Sequence, residues 1–449
     1  MLLRSTVICL LAFLPVHRVL SAAEHPAGEE AMRAWVKAET PALVPLYQHF
    51  HAHPELSLEE RETAARLAEE LRAVGAEVTS GVGGHGVVAV LQHNAGPTVL
   101  VRTDLDALPV SETTGLPYAS QVKVRTDDGV DVGVMHACGH DIHMTCLVGT
   151  ARFLAAHKER WRGTVVLIGQ PAEERVAGAK AMLAGGLYER FPKPDYALAL
   201  HVDAALAAGR VGCRPGYCLA NTDSVDITVR GKGGHGAYPY TTVDPIVEAT
   251  QLVLALQTIV SREVKATEPV VITVGSIHGG TKSNIIPDNC RLQLTVRTYS
   301  PTVREQVFQS IQRKAKAIAA ACGAPDPVID IHPGSPAVRN DDELAAAAIR
   351  VFGRVLGPGN VEPAELSMGG EDFSLFGRDG VPIVMFRLGS VDAHRLAQFE
   401  GLGQAPPSLH SAAYYPDAEL TLQTGVMAMS SLVLDLLQHE GSEGAKTRP

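Results

Sequence analysis

The chain has 449 residues, 46% hydrophobic and 20% charged, the balance of a globular protein rather than a disordered or fibrous one. Single hydrophobic cores rarely grow past roughly 250–300 residues, so one large and one smaller domain are expected. With a net charge of −10 and no basic stripe, nucleic acid is not an expected partner.

The chain begins MLLRSTVICLLAFLPVHRVLSAAEHP: one Arg, an apolar stretch from Val7 to Val16, then small residues ending at Ala22 and Ala23. That layout reads as a secretory signal peptide over residues 1–23, which implies export to the periplasm or the medium. The alternative, a membrane anchor, is disfavoured because the stretch falls short of the ~20 apolar residues a span needs. No later stretch is expected to span either, so no stable membrane partner is expected. Six cysteines remain after Cys9, too few to make a disulfide framework at this length. A single bridge between Cys213 and Cys218 stays open.

Helical periodicity opens the mature chain at Met32, Trp35 and Val36, and a second amphipathic helix runs from Leu56 to Gly75, where the glycine ends it. Between them, in HFHAHPEL, His51 and His53 precede Pro54 at a helix break, and nothing adjacent completes a site. Both are expected to be surface or capping residues. Short apolar runs follow: PTVLVR (97–102), GTVVLIG (163–169), YALAL (196–200) and VPIVMFRL (381–388), with helical patterns between several of them. They predict an α/β fold with a large, mainly parallel sheet covered by helices.

From about Cys213 to Ser335 the pattern changes. SVDITVRG alternates strictly, and the order strand, helix, strand, strand, helix, strand follows. This is the β-α-β-β-α-β, ferredoxin-like arrangement. Helix returns from Asp341, so a satellite domain over 214–335 is expected to be inserted between two parts of a catalytic domain, 24–213 and 336–449.

Charged or metal-seeking side chains follow the buried runs. VLVR leads into Asp104 and Asp106, VVLIG into Glu173 and Glu174, and YALAL into His201. Parallel sheets bind ligands beyond the carboxyl ends of their strands, so these groups are expected to converge there. In MHACGHDIHM, Cys138 and His140 would diverge by about 200 degrees on a helix, which places them in a loop entering the next helix. A helix start favours a thiolate, a metal ligand.

Sulfur, imidazole and carboxylate together suit Zn²⁺ best, with Mn²⁺, Co²⁺ or Ni²⁺ still open. Scattered ligands, half of them acids, favour an open catalytic site over a closed structural one. Adjacent Glu173 and Glu174 are expected to point apart, one to metal and the other to water as general base. His235 sits in the Gly-rich GKGGHGAYP, while spacing alone does not assign His410 in LHSAAYYP.

HAHPELSLEE, RTDLDALP, MHACGHDIHM, GQPAEE, LHVD, GKGGHGAYP, GGTKSNIIPD, MGGEDFS and LHSAAYYPD, in this order over nearly the whole mature chain, resemble the M20 metallopeptidases. Within that family the likeness is to the amidohydrolase branch of hippurate, N-acyl-amino-acid and auxin-conjugate hydrolases. The resemblance implies two divalent ions per subunit held by Cys138, His140, Glu174, His201 and His410, with Cys138 bridging. It implies Glu173 as general base, Asp106 orienting a ligand, and His235 and Asn284 contacting substrate, His235 from a neighbouring subunit of a homodimer paired through the satellite domain.

The implied substrates are N-acyl amino acids of the hippurate kind, or related conjugates. A dipeptidase or carboxypeptidase of the same family, or a binding protein that keeps the metals without chemistry, are the alternatives. One departure stands out: Ala172 in GQPAEE replaces a common glycine. It is expected to be tolerated on a backbone of negative φ.

Overall fold

The computed structural model describes residues 26–125 and 129–438; the expected leader at 1–23 lies outside them. The first helix, α1 (Pro26–Ala52), contains Pro41 and Pro45 and ends just ahead of Pro54. In α2 (Arg61–Ala73) the buried stripe Ala64, Leu67, Ala68 and Leu71 recurs at helical spacing, and Gly75 follows its end at φ +82°.

Next come β1 (Glu77–Ser80), β2 (Val87–His93), β3 (Thr98–Asp104), α3 (His140–Ala156), β4 (Gly163–Gln170), α4 (Gly178–Ala184), β5 (Tyr196–Ala207) and β6 (Val211–Cys213). A second group comprises β7 (Asp223–Arg230), α5 (Pro245–Thr258), β8 (Val270–Gly279), β9 (Asn289–Thr298), α6 (Pro301–Cys322) and β10 (Val328–Pro333). The chain closes with α7 (Asp342–Leu356), β11 (Val361–Pro363), β12 (Ile383–Val391) and α8 (Ala418–Gln438).

The large sheet has the order β1-β2-β4-β3-β5-β12-β6-β11. Its four central strands, β4, β3, β5 and β12, are parallel to their neighbours in that group. They are the four apolar runs of the sequence. Both faces are covered: Val99, Val101, Val165 and Leu167 pack into one core with α1, α2, α3, α7 and α8, while Leu100, Val166 and Ile168 pack into another with α4. A strand buried on two faces cannot alternate in polarity. Antiparallel additions at the flanks, β1 with β2 and β6 against β12, make the sheet mixed.

The second sheet, of order β8-β9-β7-β10, is antiparallel throughout and encloses a separate core with α5 and α6. Val225, Ile227 and Val229 point inward from β7, two residues apart.

Two features bear on the expected lack of a membrane span and on the Cys213–Cys218 bridge that the sequence left open. Helix α8 is long and apolar enough by length and composition to span a membrane, yet it is largely buried in the large core. Cys213 and Cys218 are both free. Cys213 packs into the large core with α1, α2, α3, α7 and α8, and Cys218 into the core with α4.

Candidate metal centre

Beyond β3 the chain turns through Asp106, whose carboxylate accepts from the Ser57 hydroxyl (2.7 Å) and from the backbone N–H of Glu174 (3.0 Å). The Asp106 carbonyl lies 2.8 Å from His140 Nδ1. That bond occupies one ring nitrogen and leaves Nε2 buried without a hydrogen-bond partner. Orientation through the far nitrogen is how a ligand histidine is fixed.

Gly139 has φ +77° and caps α3, so Cys138 lies in the preceding loop, as its spacing from His140 required. A Cβ added at Gly139 would sit 2.6 Å from Val202 Cγ2. His201, on β5 beyond the end of its pairing with β3, turns Nδ1 to the Val202 carbonyl (2.8 Å) and holds Nε2 3.6 Å from Cys138 Sγ. His410 adopts a left-handed backbone (φ +68°), and its N–H donates to the Ala137 carbonyl at 2.9 Å. Its Nε2 is 3.3 Å from Cys138 Sγ and 3.5 Å from Glu174 Oε1.

Two donor groups result, Cys138 with His140 and His201, and Cys138 with Glu174 and His410, each with ligand atoms within 4.8 Å of one another. Cys138 is common to both. The set fits two divalent cations: it mixes sulfur, nitrogen and oxygen, and His140 Nε2 and Glu174 Oε1 are buried orphans. The electrostatics agree. Burial pushes the Cys138 thiol up, and burial likewise raises the carboxyl groups of Glu173 and Glu174. Nearby cations would reverse these shifts.

The glutamates do not point apart. Oxygens of Glu173 and Glu174 both come within 4.8 Å of each other and of His140 Nε2. After β4 the chain does not continue extended: Ala172 has φ +49° and Val176 φ +54°, and the Val176 N–H donates to the Glu173 carbonyl at 2.6 Å. This turn brings both carboxylates to one side. It also contradicts the expectation of a negative φ at Ala172.

His235 and Asn284 are not brought to the cluster in this chain. They lie beside each other, both exposed, where the Gly236 N–H donates to the Asn284 carbonyl at 2.9 Å. Neither lines the cavity of about 320 Å³ that contains Cys138, Glu173, Glu174, His201 and His410.

Several groups escaped the sequence reading. His143 bridges the Asp104 carboxylate (2.7 Å) and the backbone N–H of Val202 (2.9 Å), so both ring nitrogens are engaged beside His201. Arg102, fully buried, meets Asp104 at 2.6 Å, Glu371 at 2.8 Å and Asp372 at 3.3 Å. Oxygens of Glu371, Asp372 and Glu173 fall within 4.8 Å of one another. A signal existed in RTDLD and GGEDF, where charges adjoin buried strands or glycine turns.

His51 is a correction: it is 1% exposed, held between Asp141 (2.7 Å) and Glu112 (3.1 Å). Burial opposes its protonation, but those carboxylates raise its pKa to about 9.

Sulfur, imidazole and carboxylate donors at the carboxyl ends of parallel strands, beside a carboxylate that can move a proton, define a metal-dependent hydrolase. A family model described as peptidase family M20/M25/M40 matches residues 100–398, and the chain belongs to that family. It is 37% identical over 335 residues to an N-acetyl-L-cysteine deacetylase of Bacillus subtilis, covering 74% of this chain and 77% of that protein. It is 34% identical over 409 residues to thermostable carboxypeptidase 2 of Saccharolobus solfataricus, covering 90% and 98%. A crystal structure of a dinuclear metal-binding M20 peptidase from Bacillus subtilis matches with a TM-score of 0.74 at 30% identity, covering 89% of this chain and 99% of that one. The protein is a hydrolase acting on amide bonds.

Proposed function

We propose that this is an exported dinuclear amidohydrolase that cleaves the amide of N-acyl amino acids, hippurate-like compounds included. The observation that carries the reading is the pair of donor groups sharing Cys138, with the Glu173 carboxylate beside them. In this reading Cys138, His140, Glu174, His201 and His410 hold two divalent ions, zinc or manganese first, with cobalt or nickel as further options. The ions supply Lewis-acid polarisation of the scissile carbonyl and make water acidic enough to ionise near neutral pH.

Glu173 takes the proton of the attacking water and delivers it to the leaving nitrogen. Glu173 lies beside the donor groups, with Oε2 4.0 Å from His140 Nε2, where it can hold that proton between the two steps. Asp106 fixes the Glu174 backbone and, through its carbonyl, the His140 ring.

His235 and Asn284 serve a partner's site in this reading, and the satellite, residues 214–335, forms the homodimer contact. Their exposure supports it, as do the exposed Ile246, Val247 and Leu254 on α5 and Ile277 on the edge strand β8. The leader-like residues 1–23 support export. A second reading, carboxypeptidase or dipeptidase action, is favoured by the likeness to the carboxypeptidase of Saccharolobus solfataricus.

The test compares N-acyl amino acids with dipeptides on metal-reconstituted protein. Hydrolysis of the former should vanish with a chelator and return with Zn²⁺ or Mn²⁺. Glu173→Gln should lower kcat by roughly 10²–10⁴-fold with metal content unchanged. Full turnover by that variant refutes the role of Glu173, and binding without any turnover by wild type points to a non-catalytic protein.

A further inference from the structure

Glu173 lies beside the two acids that hold a buried guanidinium, yet it does not pair with that guanidinium itself. Arg102, on β3, makes five hydrogen bonds: Nε to Gln170 (3.0 Å), Nη1 to Asp104 (2.6 Å) and Glu371 (3.4 Å), and Nη2 to Glu371 (2.8 Å) and Asp372 (3.3 Å). A guanidinium has five N–H groups, so none is left over. Among the described residues the Glu173 carboxylate accepts no hydrogen bond, and it lines the metal cavity.

The two acids are themselves fixed. Glu371 Oε1 also accepts from the Phe373 N–H at 2.9 Å, while Asp372 accepts from the Gln170 side chain at 2.7 Å and from the Ala179 N–H at 2.9 Å. Gly370 lets the loop before them pass close to its neighbour, since a Cβ there would sit 1.8 Å from Thr222 Cγ2. These residues are the GGEDF of the sequence.

A buried guanidinium with a free donor would take a nearby carboxylate in a charge-assisted pair. For Glu173 that pair would tie up oxygens that must reach the attacking water. Glu371 meets Arg102 with both of its oxygens, which bars that outcome, and its own negative charge repels Glu173.

We propose that Glu371 is a positioning residue for the hydrolysis: by filling Arg102 it keeps the general base unpaired and turned to the metal cavity. This rests on the assignment of Glu173 as general base in the amidohydrolase reading above and deepens it. Glu371 does not line the metal cavity, so it acts through Glu173 rather than on substrate.

The test uses metal-reconstituted protein and whichever N-acyl amino acid or dipeptide wild type hydrolyses fastest. Glu371→Gln keeps the shape of the side chain, removes its charge and frees an Arg102 N–H. It should lower kcat roughly 10–100-fold with KM within about threefold and metal content unchanged. A crystal structure of this variant should show the Glu173 carboxylate paired with Arg102. Glu371→Asp, which keeps the charge, should recover part of the lost kcat.

The proposal alone is overturned if Glu371→Gln keeps kcat within about threefold of wild type while Glu173→Gln is inactive. It is also overturned if Glu173 stays unpaired in the crystal of Glu371→Gln, or if both Glu371 variants lose their metal or fail to fold, which would make Glu371 a structural residue. Full turnover by Glu173→Gln, or no turnover by wild type on any compound, defeats the reading above and this proposal with it.

Discussion

His51 shows how a single buried group ties distant segments together. Its ring joins Asp141, in the first turn of α3, to Glu112. In the folded chain it titrates at about 9, against about 6.5 when unfolded, so the protonated form is favoured by folding. The resulting stabilisation, on the order of 3 kcal/mol, is complete below about pH 6.5 and is lost as pH rises through about 9. Denaturant titrations across that range should show unfolding free energy falling with pH, and His51→Gln should flatten the slope. An equally steep fall in the variant would show that other groups are responsible. Nothing in HFHAHPEL announced these partners, because they lie 61 and 90 residues away and one sequence does not display pairing.

Among the elements, the turn leaving β4 has most to do with the chemistry. Ala172 occupies the left-handed region while its N–H donates to the Glu60 carboxylate at 2.7 Å and its carbonyl accepts from Ala177 and Gly178. For a residue with a Cβ that conformation costs roughly 1–2 kcal/mol. Ala172→Gly should therefore raise the unfolding free energy by about 1 kcal/mol in urea, despite the loss of a buried methyl. A loss of similar size would mean that packing of the methyl outweighs the backbone strain. The strand β4 was legible because a strand covered on both faces must be apolar throughout. The direction of Glu173 and Glu174 was not, because it depends on φ at an alanine, a residue type that gives no sign of a left-handed turn. The short flanking strands β6 and β11, three residues each, were equally silent.

At the scale of the whole molecule, the motifs read from the sequence located most of the cluster, because the carboxyl ends of parallel strands share one rim whatever the loops between them do. They did not place His235 and Asn284 beside it, since that depends on the position of the second sheet or of another copy. Light scattering should give about twice the single-chain mass, and His235→Ala should reduce kcat without altering that mass. A fully active monomer would remove any role for His235 between subunits.

The arrangement as a whole stands or falls on two cations meeting at one sulfur. Anomalous diffraction from crystals of the Zn²⁺- or Mn²⁺-loaded protein should show two peaks per chain flanking Cys138 Sγ, one bounded by His140 and His201, the other by Glu174 and His410. A single peak, peaks remote from Cys138, or Cys138 bonded to another sulfur would contradict it.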